Sequence, residues 1–306
     1  MATGRFAPSP TGRLHLGNLR TALVAWLFAR HAGSRFVLRV EDLDPATSRL
    51  EHEAAQLADL AAIGLDWDGP VVRQSARRAA HDEAVAALER SGRTYFCFCT
   101  RREIQAAARA PHGPDGSYPG TCRHLSDAER RDRLREGRRP AVRLRADGAV
   151  VTVVDRIQGP CSLVVDDVVL RRNDGVCAYN LAVVVDDAHQ GGEEVVRGDD
   201  LLESTPRQVH LARLLGLTPP GHAHVPLVLA PDGARLAKRH GAVTLADRAA
   251  RGEHPLAVRS MLAASLGLCP AGERPSLGEL LEAFDPERLP RSPWVWTDEP
   301  SRPTQG

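Results

Sequence analysis

The chain has 306 residues, 42% of them hydrophobic and 26% charged, and a formal net charge of +1; this balance supports a sizeable core and excludes a disordered chain. No apolar run approaches the ~20 residues that cross a bilayer, and Met1-Ala2-Thr3-Gly4-Arg5 is not followed by the apolar stretch of a secretory signal, so membrane and secreted proteins are excluded and a cytoplasmic enzyme is expected. Six cysteines are too few for a disulfide scaffold, which favours metal ligation or thiol reactivity over bridges, while Cys161, Cys177 and Cys269 lack partner spacing and read as core residues.

From the N-terminus, Arg5-Phe6-Ala7 reads as a short strand running into a loop with Pro8, Ser9, Pro10 and Gly12. Leu19, Ala22, Leu23, Trp26 and Leu27 then recur at helical spacing on one apolar face, with Gly33 as the stop. Phe36-Val37-Leu38-Arg39-Val40 is a second strand, ending in Glu41 and Asp42. Strand, loop, helix, strand is the parallel crossover of a doubly wound α/β, Rossmann-like domain. Ligands of such sheets sit at the carboxyl ends of the strands, where Pro8 to Asn18 and Glu41 to Asp44 fall. Helices through Glu53, Leu57, Leu60 and Ala61 and through Val85 and Leu88 stop at Gly64 and Gly92.

The character then changes. Cysteines cluster between 97 and 122, Gly and Pro between 111 and 120 predict a loop, and Thr100-x-x-Glu103 and Ser126-x-x-Glu129 fit helix capping boxes. Short strands are expected at Val142 to Arg145, Val150 to Val154 and Val164 to Leu170. The parallel sheet is expected to resume at Leu181 to Val185 and at Val195-Val196-Arg197, before a helix from Ser204-Thr205-Pro206 to near Gly216. The organisation predicted is a catalytic domain, first half over 1–92, an insertion over 93–175, the second half over 176–242, and a short helical region with a Pro-rich tail over 243–306. No internal repeat is present.

Two segments carry chemistry. Pro8-Ser9-Pro10-Thr11-Gly12-Arg13-Leu14-His15-Leu16-Gly17-Asn18 sets a tight loop and a histidine at a helix N-terminus, where orphan N–H groups and the positive helix end favour phosphate. His15 is either a donor to developing phosphate charge or a helix cap. Arg235-Leu236-Ala237-Lys238-Arg239 lies between Gly233 and Gly241, and such a loop either swings an ammonium onto a leaving pyrophosphate or is a solvated charge run. Of the 40 basic residues all but Lys238 are Arg, which singles out a position needing a compact ammonium. Cys97-x-Cys99 and Cys122 supply three thiolates for a zinc ion and need a fourth ligand; ligand chemistry nominates His112 or His124. The arginines from Arg130 to Arg139 either grip phosphates or form a solvated helix face.

In this order the two segments resemble the signature motifs of class I aminoacyl-tRNA synthetases. His15-Leu16-Gly17-Asn18 is similar to that family's His-Ile-Gly-His motif, and Arg235 to Arg239 to its Lys-Met-Ser-Lys-Ser loop. Arg5-Phe6-Ala7-Pro8-Ser9-Pro10-Thr11-Gly12, Arg39-Val40-Glu41-Asp42-Leu43-Asp44, Leu181 to Asp187 and Val196 to Gln208 resemble the glutamyl branch, and the likeness spans residues 4 to 245.

The resemblance implies an ATP site of His15, Gly17, Asn18, Arg235, Leu236, Ala237, Lys238 and Arg239, with His15 and Lys238 carrying catalysis and Mg2+ accompanying ATP. It implies glutamate contacts from Arg5, Phe6, Ala7, Pro8, Ser9, Glu41, Tyr179 and Arg197. Charge argues the same way, since two carboxylates and one ammonium call for two cations and one anion. Asn180 stands where the branch has Gln. For one structural zinc per chain the resemblance selects Cys97, Cys99, Tyr118 and Cys122, in a Tyr-x-x-x-Cys arrangement. No large anticodon-reading region follows the core, so the likeness is to the shortened paralogue that activates glutamate without tRNA and transfers it to the queuosine base of tRNA(Asp). A short synthetase charging the 3′ end of tRNA(Glu) and a silent RNA-binding module are the rival readings. A monomer without membrane contact is expected.

Overall fold

The computed structural model of the chain describes residues 3–100, 102–104, 118–236, 240–241 and 243–298. Strand β1 (Thr3–Phe6) leads through the proline loop into helix α1 (Leu16–His31) and back to β2 (Arg35–Val40), which pairs with β1 in parallel, Arg5 beside Val37. Gly33 closes the helix at φ 62°, a left-handed stop that suits glycine. The stripe predicted for α1 is only part of its buried surface. Leu16, Leu19, Leu23, Val24, Leu27 and Phe28 are all buried, because the sheet covers one side of the helix and C-terminal helices cover the other. Each such side chain contributes about 1.5–3 kcal/mol by leaving water.

Helix α2 (Leu50–Ala62), strand β3 (Val72–Arg73) and helix α3 (Arg78–Arg90) complete the first half. Next come β4 (Thr94–Cys97), α4 (Asp127–Arg135), β5 (Ala141–Leu144), β6 (Val150–Asp155), β7 (Gly159–Val164) and β8 (Val169–Arg171). Both expected capping boxes form: Thr100 N donates to Glu103 Oε2 at 2.6 Å, and Ser126 N to Glu129 Oε2 at 2.7 Å. The second half holds α5 (Tyr179–His189), β9 (Gly192–Gly198), α6 (Thr205–Leu214) and β10 (Gly221–Val225). It ends in β11 (Val228–Leu229), α7 (Leu245–Ala249), α8 (Pro255–Ala264), α9 (Leu277–Glu282) and β12 (Trp294–Val295).

The main sheet has seven strands in the order β3-β2-β1-β9-β10-β6-β7. Its pairings are parallel except for the β6–β7 hairpin. A second sheet, β4-β5-β8, is antiparallel and small. Residues 93–175 thus divide between the two sheets.

Two expectations are corrected. Leu181 to Val185 is not a strand but the centre of helix α5. A run of five apolar residues reads alike in a buried strand and a buried helix, and here Leu181, Ala182, Val183 and Val184 are all buried. The helix turns the next two residues to different neighbours: Asp186 meets His81 and Arg77, while Asp187 meets Arg5 and Arg39. Val164 to Leu170, read as one strand, is the end of β7 and most of β8. Asp167 interrupts it, accepting from Tyr95 Oη at 2.8 Å and from Ala146 N at 2.9 Å.

Among the described residues no helix is long and apolar enough to cross a membrane.

Candidate active site

A cavity of about 630 Å3 opens at the carboxyl ends of β1, β2 and β9. Of the expected glutamate contacts, Arg5, Phe6, Ala7, Pro8, Ser9, Glu41, Tyr179 and Arg197 all line it. So do His15, Gly17, Asn18, Arg235 and Leu236 of the expected ATP site. Ala237, Lys238 and Arg239 lie outside the described residues.

The loop that forms one wall is held by α2 and its N-cap residue Arg49. Gln56 Nε2 donates to Ser9 O at 3.0 Å and Gly12 O at 2.7 Å, and Arg49 N to Pro10 O at 3.0 Å. His15 is the N-cap of α1, and it also lines the cavity. Its Nδ1 accepts from Asn18 N at 3.3 Å, while Asn18 Oδ1 accepts from His15 N at 3.2 Å. Burial lowers its pKa, and an accepting Nδ1 leaves Nε2 as the N–H donor of a neutral ring. Gly17 is needed here, since a Cβ on it would stand 2.9 Å from His15 Cε1. The far motif is brought alongside by a short backbone join, in which Leu16 N donates to Val243 O at 2.8 Å and His15 bridges Thr244. Arg235 pairs with Asp200 at 2.9 Å.

The opposite wall is charged and buried. Arg39 Nη1 donates to Asp187 Oδ1 at 2.6 Å and Arg5 Nε donates to the same oxygen at 3.2 Å, and Arg39 Nη2 reaches Glu41 Oε1 at 3.3 Å. Burial alone would raise the Asp187 carboxyl, but Arg39 and Arg5 hold it well below the usual range. Glu41 is raised by burial in spite of Arg39 and Arg5. Tyr179 is raised by burial and by Glu41. Arg197 is lowered chiefly by burial; among the described residues it makes no ion pair, and its Nη1 is buried without a hydrogen-bond partner. Asn180 turns away to accept from Gln208 Nε2 at 3.0 Å. The wall therefore has more guanidinium than carboxylate, and two of its buried guanidinium nitrogens, Arg39 Nε and Arg197 Nη1, have no hydrogen-bond partner.

A histidine-capped helix N-terminus faces an arginine-rich wall across one cleft, and residues 1–299 match the catalytic domain of tRNA synthetases class I (E and Q). The chain belongs to that family. It is 63% identical over 295 residues to the glutamyl-Q tRNA(Asp) synthetase of Nocardia farcinica, across 96% of this chain and 93% of that protein. It is 44% identical over 295 residues to the glutamate–tRNA ligase of Oleidesulfovibrio alaskensis, across 94% of this chain and 62% of that protein. The glutamate–tRNA synthetase of Elizabethkingia anophelis shares its fold with a TM-score of 0.84 at 30% identity, over 97% of this chain and 68% of that one.

This class I synthetase carries its cysteine cluster on the small sheet, away from the cleft. Cys97, Cys99 and Cys122 bring their sulfurs within 4.8 Å of one another. Cys99 Sγ lies 3.5 Å from Cys122 Sγ, and Tyr118 Oη lies 3.3 Å from Cys97 Sγ and 3.8 Å from Cys99 Sγ. Donors around a tetrahedral zinc with bonds of about 2.0–2.3 Å stand roughly 3.5–3.8 Å apart, close to these three separations. His124 is not in the cluster, and His112 lies outside the described residues.

Sequence reasoning assigned no role to Arg39, Gln56, Asp187 or Asp200. Arg39 and Asp187 carried a usable signal, as charges set in or directly after buried apolar runs. Gln56 and Asp200 carried none.

Proposed function

We propose that this class I synthetase activates L-glutamate with Mg2+-ATP, without tRNA, and then transfers the glutamyl group to the queuosine base of tRNA(Asp). The observation that carries this is the charge pattern of the cleft, in a chain 63% identical to a glutamyl-Q tRNA(Asp) synthetase over nearly all of both proteins. Glutamate brings two carboxylates and an ammonium; Arg5 and Arg197 answer the carboxylates and Glu41 the ammonium.

In the first step a glutamate α-carboxylate oxygen attacks the α-phosphorus of ATP, the bond to the bridging oxygen breaks, and pyrophosphate leaves. His15 Nε2–H and the amide groups at the start of α1 stabilise the charge that grows on the α-phosphate. Lys238 neutralises the departing phosphates. Gly17 and Asn18 shape that end of the site. In the second step a hydroxyl of the queuosine cyclopentene-diol attacks the acyl carbon, AMP leaves with the electron pair, and the hydroxyl proton passes to solvent. No protein nucleophile is required. Cys97, Cys99, Tyr118 and Cys122 would hold a structural zinc, which would tie β4 to the segment around 118–122. Such an enzyme works in the cytoplasm.

The test supplies labelled glutamate and ATP with tRNA(Asp) carrying or lacking queuosine, each also prepared without its 3′-terminal adenosine. Label in the anticodon fragment of queuosine-containing tRNA, with or without the terminal adenosine, is expected. Label only on tRNAs that keep the terminal adenosine would establish conventional 3′ charging.

A further inference from the structure

Arg197 is held by a chain of hydrogen bonds that begins outside the cleft. Asp155, at the end of β6, is fully enclosed, and its Oδ1 accepts from the backbone N–H groups of Ile157 at 3.0 Å, Gln158 at 2.9 Å and His224 at 3.0 Å. Its Oδ2 lies 2.5 Å from His224 Nδ1. An ionised Asp155 accepts only, so Nδ1 bears the imidazole proton and Nε2 is left as an acceptor. That acceptor meets Arg197 Nε at 3.0 Å. Thr205 completes the ring: its hydroxyl lies 3.2 Å from the same Nε2 and accepts from Arg197 Nη2 at 2.9 Å. Leu201 O accepts from Arg197 Nη2 at 3.3 Å. Nε and Nη2 are thus both fixed, and the remaining Nη1 is the buried nitrogen without a partner, on a residue that lines the cavity.

We propose that Asp155 and His224 are positioning residues, Asp155 setting the tautomer of His224 and His224 the angle at which Arg197 presents Nη1 to a substrate carboxylate, so that a residue of the hairpin strand β6 governs glutamate affinity without touching glutamate. This rests on the reading of Arg197 as a glutamate ligand. The protonation states agree with the geometry. Burial would raise Asp155, yet hydrogen bonds from His224 and backbone keep it low; burial lowers His224, with Asp155 only partly opposing. The ring is therefore neutral, as an acceptor facing a guanidinium must be.

Asp155→Asn gives the sharpest test. With three backbone N–H groups converging on Oδ1, the amide oxygen must take that side and its NH2 must face His224 Nδ1. The ring then protonates on Nε2 and sets an N–H against Arg197 Nε–H, at nearly unchanged volume. Glutamate-dependent ATP–pyrophosphate exchange reads the effect without tRNA. Asp155→Asn and His224→Leu should raise KM for glutamate roughly ten- to a hundredfold, with kcat and KM for ATP changed far less. His224→Gln, whose amide oxygen restores an acceptor toward Arg197 and whose NH2 can face Asp155, should recover much of the loss. Thermal melting of each variant separates these effects from unfolding. If Arg197→Ala raises KM for glutamate while Asp155→Asn and His224→Leu, folded, leave it unchanged, the positioning role is overturned and the ligand reading survives. Equal losses in Asp155→Asn for glutamate and ATP would also overturn it, as general destabilisation. An unchanged KM in Arg197→Ala would remove the carboxylate ligand itself and the proposal with it.

Discussion

Gly17 sits where a helix normally gains from a side chain, and that makes it a clean probe of the cleft. Alanine in place of a helical glycine adds about 0.5–1 kcal/mol of stability, but here the methyl would press on the His15 ring. The expected outcome for Gly17→Ala is a melting temperature no lower than wild type together with a loss of ATP–pyrophosphate exchange of at least tenfold. An unaltered exchange rate would mean that the ring angle of His15 is irrelevant. His222 offers a second residue-scale prediction. Burial, reinforced by Arg197, His224 and Arg5, lowers its pKa from 6.5 to about 3. The unfolded chain therefore binds a proton that folded His222 refuses, so this group's contribution is intact above pH 6.5 and is lost as pH falls toward about 3. Melting curves across that window should show a shallower decline for His222→Leu than for wild type, and parallel declines would contradict the assignment.

At the scale of elements, four side chains from three separate segments cluster beside the small sheet. β4 supplies Cys97, the turn after it Cys99, and the stretch before α4 Tyr118 and Cys122. With zinc bound these form one cross-link, so Cys97→Ser or Cys122→Ser should reduce zinc from about one ion per chain to near none by elemental analysis. Melting should be affected chiefly in the small sheet, as seen by local hydrogen exchange. Tyr118→Phe removes the one oxygen donor; undiminished zinc in that variant would point to His112 or to solvent as the fourth ligand. The sequence showed these elements unevenly. Capping boxes and the α1 periodicity were legible because each is a local pattern of four to nine residues. The nature of α5 was not, because its Leu181 to Val185 run is buried on most sides and so lacks a helical stripe.

On the scale of the whole molecule, the last described segment joins the core that holds the first helix. Trp296 is only 2% exposed and belongs to the same core as Leu16, Leu23 and Leu27. β12 pairs with β11, and Asp298 accepts from Arg248 at 3.0 Å and Arg251 at 2.6 Å. The base of the Arg235 to Gly241 loop is thereby bracketed, since β11 precedes it and α7 follows it. Trp296→Ala should cost about 3–5 kcal/mol, a fall in melting temperature on the order of 10 °C, and should slow pyrophosphate exchange beyond what the lost stability explains. A variant that melts early yet exchanges at the wild-type rate would show the bracket to be structural alone.

What the sequence determined by itself was the local chemistry: the β1–α1–β2 crossover, the proline loop that ends in a histidine cap, the Cys-x-Cys and Tyr-x-x-x-Cys spacings, and arginines at strand ends. Each depends on residues near one another in the chain, where spacing alone dictates which side chains share a face. Tertiary structure alone decided that Asp187 would sit between Arg5 and Arg39, that Gln56 would hold the proline loop, and that Asp155 would reach Arg197 through His224. Those contacts join elements distant in sequence: Asp187 comes from α5, Gln56 from α2, and Asp155, His224 and Arg197 from β6, β10 and β9, which lie side by side in the sheet. No periodicity encodes such an order, because it is set by how whole elements bury their apolar faces together.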